Sequence, residues 1–178
     1  MGFCLVLTAM ILSSARGGNM KTPQTVASVD LNRYMGKWYE IAKIPNRFQK
    51  KCSGRTTAEY KLRAGGTVLV VNSCLDDEGK RMVAKGIAKV SDPVTDAKLK
   101  VSFVRFLGVH LFWGDYWIVG LDREYQYAIV GGPSRKYGWI LGRRPELSNE
   151  EWIAVKDILR SQGYKLEDFE RTRHLPRQ

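Results

Sequence analysis

An all-β chain is predicted, specifically an eight-stranded antiparallel up-and-down barrel with one C-terminal helix packed on its outside. Three observations carry this expectation. Eight short strand-like runs follow one another, the breaks between them are of hairpin length, and a single well-marked helix comes after them. No break is long enough for a helical crossover, which argues against a parallel sheet.

The runs are Trp38–Ile44, Thr56–Leu62, Thr67–Cys74, Lys80–Val90, Lys98–Phe103, Asp115–Leu121, Gln126–Val130 and Lys136–Gly142. The breaks read AGG at 64–66, DDEG at 76–79, SDPVTD at 91–96, DRE at 122–124 and GGPS at 131–134. Ser148 and Glu151 form an S-x-x-E capping box at the start of the helix, and Gly163 stands where a C-terminal glycine belongs. Trp152, Val155, Ile158 and Leu159 make one apolar stripe that needs a surface to cover it. Closing the eight strands on themselves gives an interior that side chains nearly fill, or that holds one small ligand.

The 178 residues suffice for one domain with a sizeable core. Twenty-nine basic against 18 acidic residues give a net charge of +11, which favours anionic partners without choosing among them. Residues 1–15 carry no charged side chain, and Phe3–Leu12 is apolar except for Thr8: too short to span a bilayer, but the length of a signal-peptide core. Cleavage after Ala15 fits the small-residue rule, and export is expected; the alternative is a cytosolic chain starting at Met20. A polar leader follows at 16–28, the barrel with its helix and last extended piece at 29–170, and a basic tail at 171–178. Cys4 lies inside the apolar run rather than after it, so a lipid anchor is not supported.

Removal of the signal leaves Cys52 and Cys74, an even count suited to an oxidising compartment. Pairing about a turn near Gly65 puts Cys74 opposite Thr56, four residues from Cys52. A disulfide is expected, but the chain before Thr56 must curl back to allow it.

Three stretches resemble the lipocalin family: NRYMGKWYEI at 32–41, GDYWIVGLDREYQYAIV at 114–130 and WILGRRP at 139–145. In order and at this spacing, with the matching strand order, they cover about Val29 to Phe169. They are most similar to bacterial lipocalins and their plant temperature-induced and apolipoprotein D relatives. The resemblance implies a calyx whose closed base is made by Gly36 and Trp38, with Arg143 stacked across the indole as structural residues. It also places the open mouth at the loops 45–55, 75–80, 104–114 and 131–136. For a bacterial source it implies the periplasm or outer membrane.

Alternation sends Trp38, Glu40 and Ala42 to one side of the first strand, with Arg47 and Phe48 reaching the rim. Ala58, Tyr60 and Leu62 line the second strand, Val68 and Val70 the third, and Leu99, Val101 and Phe103 the fifth. Tyr116 and Trp139 are candidates for a polar-tipped aromatic contact. Glu40 either pairs with a neighbouring polar group or meets the polar part of a ligand. The stretch VRFLGVHLFWG at 104–114 is apolar apart from Arg105 and His110, and costly to leave in water. It folds over the barrel as a lid, contacts an anionic membrane surface through 104–113, or continues the strands. The cup suits a small hydrophobic ligand, a fatty acid or a lysophospholipid, with its anionic head near the basic rim.

Haem or pigment carriage is the rival reading. Catalysis finds no support: His110 and His174 have no neighbouring nucleophile, and no zinc pattern appears. Nucleic-acid binding is disfavoured because the basic residues are dispersed and no recognition element is visible. No cofactor is expected.

Overall fold

The computed structural model describes residues 21–174; the expected signal peptide, Cys4 and the end of the basic tail lie outside them. A one-turn helix α1 (Leu31–Tyr34), capped by Asp30, precedes β1 (Gly36–Lys43). There follow β2 (Gly54–Leu62), β3 (Thr67–Leu75), β4 (Arg81–Val90) and β5 (Lys98–Ser102). A small hairpin, β6 (Val104–Phe106) and β7 (Val109–Leu111), leads to β8 (Gly114–Leu121), β9 (Tyr127–Gly131) and β10 (Trp139–Gly142). Helix α2 (Asn149–Ser161) and a short β11 (Glu170–Arg171) complete the described chain.

The wall runs β10-β9-β8-β5-β4-β3-β2-β1, every pairing is antiparallel, and β10 returns to β1. The expected eight-stranded barrel with an outer helix is what forms. β10 starts at Trp139 rather than Lys136, because Gly138 is pinched between Ile44 and Phe169 and the chain before it turns. The α2 capping box is present: Ser148 N donates to Glu151 Oε2 at 2.7 Å, and Glu151 N to Ser148 Oγ at 3.2 Å.

Two apolar cores share this wall. Inside it lie Trp38, Tyr60, Val68, Val70, Leu99 and Ile118; between wall and α2 lie Ile41, Ala42, Val119, Ile129, Ile140, Val155 and Leu159. A bulge between Glu40 and Ala42 lets β1 serve both. Glu40 pairs with Leu141, an inside residue, whereas Ala42 pairs with Ile140, an outside one. Plain alternation therefore fails at this point. Ala42 does not line the calyx as expected but packs under α2, and Lys43, paired with Trp139, takes the inward place.

Cys52 and Cys74 are bonded, with Cα atoms 5.6 Å apart. The necessary curl is a second bulge, between Gly54 and Thr57, where Arg55 takes φ +50°. β2 pairs with β1 only over Gly36–Tyr39, and above that the C-terminal segment bridges the two. β11 pairs with Ala42 and Lys43, Thr172 N donates to Ile41 O at 3.0 Å, and Arg55 N donates to Arg173 O at 2.6 Å. The start of the expected tail thus completes the wall.

Gly131 leaves the room in which the Tyr164 hydroxyl sits, and a Cβ there overlaps that oxygen. Gly131→Ala is expected to cost about 1–3 kcal/mol through overpacking. Gly114→Ala, whose Cβ meets nothing nearer than the Val101 carbonyl at 3.9 Å, is expected to be close to neutral. Urea denaturation of the two variants checks the contrast.

Candidate functional site

The base is built around an indole. Trp38 is fully buried, its Nε1 donates to Tyr34 O at 2.8 Å, and the Arg143 guanidinium lies 3.8 Å from its ring centroid. Arg143 Nη2 donates to Arg33 O at 2.6 Å and Nη1 to Lys37 O at 2.9 Å, so one side chain ties α1 to β1 across the indole. Gly36, at φ +91°, makes the turn from α1 into β1 directly beneath Nη1. Gly36, Trp38 and Arg143, expected together at the closed base, lie together there, but α1 itself was hidden in the sequence.

Above the base, three tyrosines meet across the barrel. Tyr116 Oη lies 2.8 Å from Tyr34 Oη and 2.9 Å from Tyr60 Oη. Burial pushes all three phenols up, Tyr60 to about 12, with mutual repulsion of the phenolate forms adding to the effect at Tyr34 and Tyr116. Leu31, Met35, Val68, Val70 and Val101 join them around a void of ≈ 20 Å³, enough for about one water. The deep end is therefore mostly filled by side chains. Higher up, the inward row of β4 is Ala84, Gly86 and Ala88, with Ala58 across β3, and Ala84 is solvent-exposed although it faces inward. That opening is the mouth of the cup.

A polar belt crosses the calyx at middle height. Glu40, 3 % exposed, accepts from Gln49 Nε2 at 2.5 Å and from Thr172 Oγ1 at 2.6 Å, and Lys43 Nζ lies 3.7 Å away. Gln49 Oε1 in turn accepts from Trp139 Nε1 at 3.0 Å. Glu40 is thus satisfied by protein groups, the first of the two readings offered for it. Lys43, Gln49 and Thr172 escaped sequence reasoning. Lys43 was masked by the bulge, and the other two come from a loop and from a segment read as tail.

At the mouth, Arg47 and Phe48 stand on a 3-10 turn (Arg47–Gln49), both exposed, with Phe48 against Tyr137 at 5.7 Å between ring centroids. Val101 lines the interior, and the Phe103 ring lies against Gly86, where a Cβ would meet it at 2.7 Å. Leu62, expected inside, is exposed at the far end of β2. Arg135, in the 131–136 loop, is tied down by Nε donating to Gln162 O at 2.7 Å.

The apolar stretch at 104–113 is not a folded-down lid. It stands as the β6–β7 hairpin, anchored by Ser102 Oγ donating to Leu111 O at 2.5 Å. Leu107 at its tip and Phe112 at its base are 87 % and 82 % exposed, and Phe106 and Val109 are also exposed. Arg105 lies exposed among them, Lys136 is exposed on the adjoining β9–β10 loop, and Lys50 and Lys51 are exposed on the β1–β2 loop across the mouth. An uncovered apolar surface rimmed by cations is a docking surface in chemical terms. Among the described residues no cluster of potential metal ligands occurs.

Two outcomes follow. Arg143→Ala is expected to lower stability by about 2–4 kcal/mol, from the lost cation–π contact and charged hydrogen bonds, while the rank order of ligands in a displacement assay stays unchanged. The tyrosines bind their protons more tightly folded than unfolded. Their contribution is complete below pH 10 and is lost as pH rises from 10 towards about 12, the value for Tyr60. Across that window unfolding midpoints are expected to fall as tyrosinate absorbance rises.

A family model described as a lipocalin-like domain matches residues 29–174. The chain is 39 % identical over 155 residues to temperature-induced lipocalin-1 of Arabidopsis thaliana, covering 85 % of this chain and 83 % of the relative. It is 37 % identical over 145 residues to the outer membrane lipoprotein Blc of Escherichia coli K12, with 81 % and 78 % covered. To apolipoprotein D of Mus musculus it is 33 % identical over 180 residues, with 94 % and 92 % covered. Among solved structures, insecticyanin from the tobacco hornworm Manduca sexta shares the fold at a TM-score of 0.70 and 22 % identity, over 88 % of this chain and 86 % of that one. With the closed barrel, the Trp38–Arg143 base and the outer helix already in place, these matches make the chain a member of the lipocalin family, binding and carrier proteins for small hydrophobic ligands.

Proposed function

We propose that the protein is an exported carrier of a single-chain amphiphile, a fatty acid or lysophospholipid, which it exchanges at an anionic membrane surface. The observation that carries this reading is the placement of the exposed hairpin. The calyx opens at the end where Phe106, Leu107, Val109 and Phe112 meet solvent with Arg105 among them, and where the β1–β2 loop across the mouth exposes Arg47, Lys50 and Lys51. Such a rim rests on a bilayer with its apolar side chains in the acyl boundary and its cations on the headgroups. A lipid then passes between bilayer and cup without its chain crossing water.

Energetics favour a chain over a compact ligand. Each buried CH2 contributes about 0.8 kcal/mol, so ten carbons give a gross gain of about 8 kcal/mol, from which ordering costs subtract heavily. Ala58 and Ala84 are small inward residues above the tyrosines that suit the passage of one chain, with the Phe103 ring laid over Gly86 beside them. Export is supported by the Cys52–Cys74 bond, which suits an oxidising compartment, and by the likeness to outer membrane lipoproteins of bacteria. A role in lipid storage, transport or stress response accords with the temperature-induced plant relative.

Native mass spectrometry with lipid extraction is expected to recover acyl species from the purified protein, and lysophospholipid to displace a bound fluorescent fatty acid. A visible chromophore in place of acyl species supports haem or pigment carriage instead. In co-sedimentation with anionic vesicles, the triple variant Phe106→Ser, Leu107→Ser, Phe112→Ser is expected to lose binding in the vesicle pellet while keeping fatty-acid affinity in solution.

A further inference from the structure

Two polar atoms of the calyx wall have no hydrogen-bond partner among the described residues. Thr56 is 5 % exposed and its Oγ1 is buried unpaired, and Asn72 Oδ1 is in the same state. Thr56 stands in the bulge between Gly54 and Thr57, opposite the buried Cys74 and next in the burial row after Tyr60 and Ala58, and stepping by two from Val68 and Val70 turns Asn72 inward. Asn72 pairs with Ala58, two residues from Thr56 along β2, so the two stand close together on this part of the wall. They sit above the tyrosines and below the rim. Buried polar atoms are normally paired, and two such atoms together on a ligand-facing wall await a partner.

The other polar groups at this height are engaged. Both Glu40 oxygens accept hydrogen bonds, from Gln49 and Thr172, and Gln49 Oε1 holds Trp139. Glu40 also sets the sign of what enters. A second carboxylate at this depth meets its negative charge, with Lys43 at 3.7 Å already beside it. A neutral hydroxyl meets no such penalty. It donates to Asn72 Oδ1 while accepting from the Thr56 hydroxyl, and it serves the Asn72 amide in either orientation.

We propose that Thr56 and Asn72 form a subsite that reads a neutral hydroxyl carried by the ligand just below the calyx rim. The ligand class is a single-chain lipid whose head bears a free hydroxyl next to the chain. The proposal rests on the reading of the calyx as an amphiphile carrier, and it adds a specificity that chain burial alone does not supply.

The test uses the full chain, a fluorescent fatty acid as reporter, and two competitors of equal chain length, 1-monooleoylglycerol and methyl oleate. Wild type is expected to bind the monoacylglycerol about tenfold more tightly than the ester, the discrimination of one good hydrogen-bonded group. Thr56→Val, which keeps the side-chain shape, and Asn72→Ala are each expected to shrink the gap to about twofold with the ester's affinity unchanged. Thr56→Val carries the test if Asn72→Ala fails to fold. Equal binding of the two competitors by wild type, or equal weakening of both in Thr56→Val, overturns the subsite and leaves the carrier reading standing. Failure of every acyl probe to bind overturns both.

Discussion

The structure depends on one displaced residue in β1. A strand whose side chains alternate strictly can present one apolar row to one core, yet β1 faces two: the barrel interior and the seat of α2. The bulge between Glu40 and Ala42 resolves the conflict by spending one residue. Below it, Trp38 and Glu40 point in; above it, Ile41 and Ala42 lie under the helix and Lys43 turns inward beside Trp139. Without that shift a lysine would face the α2 seat and an alanine the calyx. The seat would then hold an unpaired charge, and Glu40 would lose its cation.

The base and the belt divide the work of the interior. At the base, Arg143 stacked on Trp38 and bonded to carbonyls on either side of Gly36 closes the barrel with a side chain that is always charged. Its geometry leaves no passage for a ligand, so the cup is blind at that end. The tyrosine cluster next to it is neutral at any ordinary pH because burial holds the phenols protonated. Among the described residues, the charge inside the calyx is therefore confined to the Glu40–Lys43 pair at middle height. Depth and polarity are coupled: apolar and tyrosine-tipped at the bottom, ionic in the middle, cationic and aromatic at the mouth.

Much of this was legible in the residues, and the failures have physical causes. Turn chemistry marked the hairpins, so the wall strands and their order followed from AGG, DDEG and DRE. The α2 stripe and capping box read correctly because they are local. Trp38 and Arg143 needed the family resemblance, since nothing about a Trp and an Arg a hundred residues apart says that they stack. Ala42 was misplaced because the bulge falls at Ile41 and Ala42, both apolar, and so leaves no mark in the sequence pattern. The hairpin at 104–111 was hidden by its brevity: Val104, Phe106, Val109 and Leu111 share one face and Arg105 and His110 the other, but three residues a strand are too few for the alternation to stand out. Thr56 and Asn72 stood at inward positions all along, but a polar residue on an inward row reads as a solvent residue until its burial is known. Gln49 and Thr172 come to Glu40 from a loop and a terminus, through contacts that no sequence spacing encodes.

The C-terminal segment gives the fold a direction in time. β1 leaves β2 after Tyr39, and only Glu170 to His174, arriving last, close the seam above. A chain emerging from the ribosome, or from a translocation pore, can assemble its other strands and still have an open side. The side wall closes only once this C-terminal segment has joined it, so a cup made in this order is born open along its flank. A lipid present at that moment has a second way in, one that vanishes once Thr172 reaches Glu40.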